Sequence, residues 1–298
     1  PVPMRLTTGP LSYFSPTVSP DGRVVYALGV SPHPGSELVR YDASQAAFTP
    51  FLSGLAARDV EFSPDRQWIA YVRHPEGTLW RSRRDGTDGL QLTFPPLTAT
   101  LPRWSPDGRR IAYMSQSPGE PWSSALVATE GGAPRSVGER GWVDPSWSPE
   151  GDKLLFGTMW DWTSQRPGAL HVVDLRAGGA SVVPGSEGLY SPRWSPDGRS
   201  IAALSAPANR LALHDLGTGR WRDLIAGSEV LAFPSWTRDG KWLQVEMGSA
   251  IVRVRVSDGH VERVTGLERV AVVAIPWGWV GLADAASPIT LRAIGSTP

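Results

Sequence analysis

Arg103-Trp104-Ser105-Pro106-Asp107-Gly108-Arg109-Arg110-Ile111-Ala112-Tyr113 decides the fold. Ser-Pro-Asp-Gly has the preferences of a type I turn, with glycine in the left-handed position that closes a three-residue hairpin with a bulge. A large apolar residue precedes the turn and a β-rich run follows it, so two strands meet here. The turn recurs at Ser19-Pro20-Asp21-Gly22, Ser63-Pro64-Asp65-Arg66, Ser148-Pro149-Glu150-Gly151, Ser195-Pro196-Asp197-Gly198 and Thr237-Arg238-Asp239-Gly240. Successive acidic positions are 44, 42, 43, 47 and 42 residues apart. A fixed period in this range marks stacked sheets.

Val18, Phe62, Trp104, Trp147, Trp194 and Trp236 stand before the turns. Each repeat also carries a third and a fourth strand, joined by turns such as Arg84-Asp85-Gly86 and Ser257-Asp258-Gly259. Four short antiparallel strands followed by a return form one blade, and radial packing of blades buries their faces. The large residue before each turn is expected to fill the space between blades.

The 298 residues are read as one all-β domain, a β-propeller. Its repeats run over about 13–55, 56–98, 99–141, 142–188, 189–229 and 230–269. Residues 270–298 and 1–12 amount to roughly one more repeat. The expectation is therefore seven blades of four-stranded antiparallel sheet closed by the N-terminal strand, with a six-bladed ring carrying extra terminal strands as the alternative.

The stretch 103–113, and residues 189–202 with it, resembles the WD40-like repeat of the TolB family of β-propellers. The resemblance implies a propeller of the kind used as periplasmic binding proteins, as the propeller half of prolyl-oligopeptidase-type enzymes, or as sensor regions of bacterial kinases and winged-helix regulators. The matched residues are turn and core positions, so it speaks to fold more than to function. Two departures stand out. Arg66 occupies a left-handed position, at a cost on the order of 1 kcal/mol or a change of turn type, and Thr237-Arg238 replaces Ser-Pro.

Twenty-nine acidic and 29 basic residues give no net charge, whereas a nucleic-acid surface needs clustered base. There is no cysteine, hence no disulfide or thiolate metal site, in keeping with an oxidising compartment. No run of 18 apolar residues is present. The chain begins at Pro1, which reads as a removed leader or anchor, or as a domain of a longer protein.

In a propeller, the first-to-second and third-to-fourth turns share one face, and the second-to-third loops and interblade links share the other. Two loops on the second face are long: Gln116 to Ser123, with Trp122, and Gly157 to Gly168, with Trp160, Asp161, Trp162 and Arg166. Links bring Arg140, Trp142 and Asp144 to the same sector, and Tyr190 follows the fourth repeat. Tryptophan beside arginine is the composition of an interface hot spot, because an indole removes a large area from water at little rotamer cost. The alternative is that these rings fold back over the blades.

The turn aspartates are read as caps on nearby backbone amides rather than as metal or acid–base groups. Of five histidines only His33 and His74 occupy equivalent loops, too few for a zinc or manganese site. Gly185-Ser186-Glu187-Gly188 falls one residue short of a nucleophile elbow, and no α/β-hydrolase domain accompanies it. No cofactor is expected. The function expected is a non-catalytic docking, scaffold or accessory subunit that binds a protein partner, extracytoplasmic and bacterial, within a larger assembly peripheral to a membrane. A small ligand in the channel of a sensor propeller, or the propeller half of a peptidase or a propeller lyase, are the alternatives.

Overall fold

The computed structural model describes residues 57–158, 168–206, 208–247 and 250–268, together with four strands nearer the N-terminus as backbone. Those four, β1 (Ser12–Val18), β2 (Val24–Val30), β3 (Ser36–Asp42) and β4 (Ala47–Pro50), form one antiparallel sheet. The second sheet is β5 (Ala57–Phe62), β6 (Trp68–Arg73), β7 (Thr78–Arg83) and β8 (Leu90–Gln91). The third is β9 (Thr98–Trp104), β10 (Arg110–Gln116), β11 (Ser123–Ala128) and β12 (Arg135–Val137). The fourth holds β13 (Trp142–Trp147), β14 (Lys153–Thr158), β15 (His171–Asp174) and β16 (Ala180–Val182). In the fifth are β17 (Leu189–Trp194), β18 (Ser200–Ser205), β19 (Arg210–Asp215) and β20 (Arg220–Ala226). The sixth comprises β21 (Leu231–Trp236), β22 (Trp242–Met247), β23 (Ala250–Arg255) and β24 (Val261–Glu268).

The all-β propeller architecture is present, but the blade count expected from the sequence is corrected. Five blades, β5 to β24, are described with their side chains, and one further sheet, β1–β4, as strands alone. The expected seventh blade rests on leftover length alone, and neither 270–298 nor 1–12 contains the Ser-Pro-Asp-Gly turn that marks the others. Those residues lie outside the described ones except Ser12, which pairs with Val30 within the first sheet. Among the described residues no helix is long and apolar enough to cross a membrane.

The turns are built alike. In the third blade Gly108 N–H donates to Ser105 O (2.8 Å), and Gly108 has φ +69°. Ser105 Oγ donates to Asp107 Oδ1 (2.5 Å) and accepts from Arg110 N (2.9 Å), while Asp107 Oδ1 also accepts from Arg109 N (3.0 Å). The same bonds recur about Ser195 and Asp197, and about Thr237 and Asp239. Arg66 keeps the turn by adopting φ +61° itself, with its N–H on Ser63 O (2.9 Å). Glu150 is the exception: Ser148 Oγ donates instead to Asp152 (3.1 Å).

Tryptophans before the turns span the blades. Trp104 Nε1 donates to Glu61 O (3.1 Å), Trp147 Nε1 to Arg103 O (3.0 Å) and Trp236 Nε1 to Arg193 O (3.1 Å). Apolar clusters fill the same seams. Ala70, Val72 and Leu79 meet Trp104, Ile111 and Tyr113 between the second and third blades. Leu204, Leu211 and Leu213 meet Leu243, Val245 and Val252 between the fifth and sixth.

Candidate functional site

Each first strand carries one bulge, because a residue of positive φ interrupts its pairing with the second strand. These residues are Asp59, Leu101, Asp144, Ser191 and Phe233, with φ between 48° and 53°. In four of the five the next residue is proline, which cannot donate to a ladder and is tolerated within sheets at bulges. Near the bulges the side chains of Asp59, Glu61, Arg103, Asp144, Ser191 and Arg193 reach neighbouring first strands.

A chain of ion pairs results across four blades. Arg103 Nη1 meets Glu61 Oε2 at 2.9 Å and Arg103 Nη2 meets Asp144 Oδ1 at 3.6 Å; Arg193 Nη1 meets the same Asp144 oxygen at 3.0 Å. Ser191 Oγ donates to Asp144 Oδ2 (2.7 Å), and Thr100 Oγ1 donates to Asp59. Asp144 and Arg193 are 8% and 9% exposed at their side chains. Burial alone would raise the Asp144 carboxyl, but the Arg193 and Arg103 guanidiniums, with a hydrogen bond from Ser191, hold it below the ordinary aspartate range. For Glu61 the balance is reversed: burial outweighs the offset from Arg103, and its carboxyl is raised. The chain sets two carboxylates against two guanidiniums at ion-pair distance, with Asp144 Oδ1 facing both arginines but accepting no aligned hydrogen bond, an arrangement that holds neighbouring blades by charge.

Of the residues picked out from the sequence, Trp122 and Arg140 lie on the loop face. Link and loop backbones join there: Gly141 N–H donates to Trp122 O (3.0 Å), Gly188 N–H to Gly168 O (2.7 Å) and Ala99 N–H to Gly77 O (2.7 Å). On the opposite face the two kinds of turn meet, as in Thr129 N to Arg109 O and Leu216 N to Arg199 O, both 2.9 Å. Trp122 is half-buried, and Arg140 is exposed and paired with Glu120. Trp142 is not a loop residue. It opens β13, is 6% exposed, stacks on His171 at 4.1 Å and lies beside Phe156, so it belongs to the core. Tyr190 lies in β17, where burial first and the Asp144 charge second push its hydroxyl up to about 12. Trp160, Asp161, Trp162 and Arg166 lie outside the described residues, as does His33.

The structure thus joins the backbone at Trp122 to Gly141, next to Arg140, sets Tyr190 within the field of Asp144, and removes Trp142 from the surface. Glu61, Arg103 and Arg193 were passed over in the sequence. For Arg103 and Arg193 the signal is the proline that recurs two residues before the large apolar residue, at Pro16, Pro102, Pro145, Pro192 and Pro234; Glu61 follows Val60 and carries no such mark. Among the described residues no group of three or more His, Asp or Glu is placed to hold a metal ion.

Residues 168–290 match the family model described as the lipoprotein LpqB beta-propeller domain. TolB of Agrobacterium tumefaciens superposes with a TM-score of 0.59 at 18% identity, covering 72% of this chain and 83% of that one. The fold is that of the TolB-like β-propellers. TolB of Acinetobacter baumannii gives 0.54 at 18% identity, covering 81% of this propeller and 68% of that chain. The tricorn protease gives 0.64 at 13% identity, covering 88% of this TolB-like propeller but 31% of that chain. No curated protein matches the sequence.

Proposed function

We propose that this TolB-like propeller is a non-catalytic docking module that binds another protein on its loop face, as an accessory subunit of an extracytoplasmic, membrane-associated assembly. The observation that carries the reading is that the Gly141 N–H bond to Trp122 O sets a half-exposed Trp122 beside the link that carries the exposed Arg140, whose guanidinium pairs with Glu120, on the face of long loops. A rigid scaffold presenting an indole and a guanidinium has the composition of a binding hot spot. The match to a lipoprotein's propeller and the likeness to TolB favour the extracytoplasmic setting. A second reading, the propeller half of a peptidase, is favoured by the likeness to the tricorn protease.

The test is quantitative capture of partners from native membrane and soluble fractions by the wild type and by the Trp122→Ala/Arg140→Ala double variant, with Trp160→Ala/Trp162→Ala alongside. The docking reading expects a stoichiometric partner that the variants lose while the melting temperature holds. Undiminished capture by both variants overturns the site. Co-purification with a covalently continuous hydrolase domain would replace the docking reading by the peptidase one.

A further inference from the structure

The acids of the two faces differ in what their carboxylates do. On the turn face most are aspartates held by the turns themselves. Asp65, Asp107, Asp197 and Asp239 accept from backbone amides two residues on, after the first-to-second turns. Asp85, Asp174, Asp215 and Asp258 accept from amides of the third-to-fourth turns. An aspartate is short enough to cap its own turn in this way. On the loop face the described acids are glutamates: Glu76 and Glu120 in the second-to-third loops, and Glu139, Glu187 and Glu229 in the links that enter the fourth, fifth and sixth blades. All five are exposed, and only Glu120 has an ion pair among the described residues, with Arg140. The fold does not use the other four.

Little positive charge accompanies them. Among the described residues of these loops and links Arg140 is the one arginine or lysine. At the adjoining strand ends Arg73 lies over Trp80 at 5.4 Å, and Arg210 pairs with Asp223 at 3.2 Å. A chain without net charge thus presents one acidic face. The face is also continuous. Ala206 N–H donates to Gly188 O (2.8 Å) and Leu231 N–H to Ala208 O (2.6 Å), which joins the link of Glu187, the loop of the fifth blade and the link of Glu229. Apolar side chains stand among the carboxylates: Phe94 is 63% exposed and Val230 51%, each in a link of this face.

We propose that the loop face takes a basic segment of the partner protein, whose lysine or arginine side chains meet Glu139, Glu187 and Glu229 while its apolar side chains cover Phe94, Trp122 and Val230; this rests on the docking reading above. Charges of one sign gathered on one face raise the local potential and steer a partner of the opposite sign. The apolar side chains supply burial that exposed charges alone do not. Charge also selects the occupant, since an acidic partner, or a second copy meeting this one through the same face, would set carboxylate against carboxylate.

The probe is a dye-labelled peptide of about twelve residues in Lys-Lys-Phe repeats, followed by fluorescence anisotropy at about 50 and 300 mM NaCl, with a Glu-Glu-Phe peptide as its counterpart. The wild type should bind the basic peptide, more weakly at the higher salt, and not the acidic one. Glu139→Gln/Glu187→Gln/Glu229→Gln should weaken binding about tenfold with the melting temperature unchanged. Asp88→Asn/Glu130→Gln/Glu150→Gln removes the same charge from the turn face and should leave binding as it is. No binding of the basic peptide by the wild type overturns the proposal, as does equal weakening by the two triple variants, which would mark general attraction to acids anywhere on the surface. Should the basic peptide fail while Trp122→Ala/Arg140→Ala still loses the native partner, the docking reading stands and the basic segment alone is refuted.

Discussion

Replacing Asp144 by asparagine tests the ion-pair chain at its centre. Asparagine tolerates the left-handed backbone that this residue adopts at φ +50° and can still accept from Ser191, so the substitution removes charge and little else. Asp144 Oδ1 faces Arg193 at 3.0 Å and Arg103 at 3.6 Å. At an effective dielectric of about 20 these contacts amount to roughly 5 kcal/mol of gross attraction each. Most of this is offset by the desolvation of the carboxylate, and removal of one member of a buried pair is known to cost about 3–5 kcal/mol. At roughly 2–4 °C per kcal/mol for a large domain, the melting temperature should fall by about 10 °C. Differential scanning calorimetry at neutral pH measures the loss. It should persist in about 0.5 M NaCl, because buried pairs are screened little. The pH dependence has a definite sign. The folded Asp144 carboxyl lies below its unfolded value, so its contribution is complete above about pH 4 and disappears as pH falls through the lowered folded value. The gap between wild type and variant should close in acid. A cost of less than about 1 kcal/mol at neutral pH would match an exposed pair and refute the chain as a holding device.

Arg66→Gly should stabilise the protein by about 1 kcal/mol in urea denaturation, because glycine takes φ +61° without the penalty an L side chain meets there. A destabilised variant would mean that the arginine side chain contributes more than its backbone costs. Trp147→Phe removes the indole bond to Arg103 O (3.0 Å) and part of the seam packing, and should cost about 1–3 kcal/mol by the same assay. A neutral result would show that the indole bond is exchanged for water without penalty. Burial lowers His171 and His214 below the usual imidazole value, so the unfolded chain binds protons that the folded one resists. Their share of stability is full above about pH 6.5 and is lost as pH falls below it. Replacing His214 by phenylalanine should flatten that limb of the stability profile, and an unchanged limb would remove His214 as its source.

The propeller could be read from the turns because the bonds that define them are local. Ser105, Asp107 and Arg110 bond one another within six residues, so six copies announce six hairpins. The seams were legible in part: a tryptophan before the turn has nowhere to go but between blades. The ion-pair chain was not legible, since each member belongs to a different repeat. Two of its pairs, Arg103 and Arg193 with Asp144, run from the residue before the tryptophan in one blade to the residue three before it in another, across a bulge that two-residue alternation does not reveal, and the third joins Arg103 to Glu61, the residue before Phe62. Trp142 was misplaced for a related reason. The link before β13 ends at Gly141, and the first tryptophan after it faces the third blade instead of solvent. Blade number was not legible, because leftover length without the Ser-Pro-Asp-Gly turn carries no mark of a strand pair.

One seam is built differently from the rest, and the difference connects the charge chain to the loop face. Trp194 does not bond the blade before it through its indole, as Trp104, Trp147 and Trp236 do; its Nε1 turns back to Gly198 O in its own hairpin (3.3 Å). The fourth and fifth blades are tied instead by Trp194 N–H on Ser146 Oγ (2.9 Å), by Ser191 on Asp144 and by Arg193 on Asp144. A Cβ at Gly157, the next-to-last residue of β14, would lie 3.3 Å from Ser191 N and Tyr190 Cα, so backbone approaches backbone here. Charge and close backbone contact replace the indole bond at the seam beside the end of β14. If that is how the seam is held, the Asp144→Asn variant should lose exchange protection first in β13 and β17 while β6 and β10 hold, at pH and salt where the protein remains folded. Uniform loss across all blades would mean that Asp144 supports the ring as a whole, and that the fourth and fifth blades are joined no differently from the others.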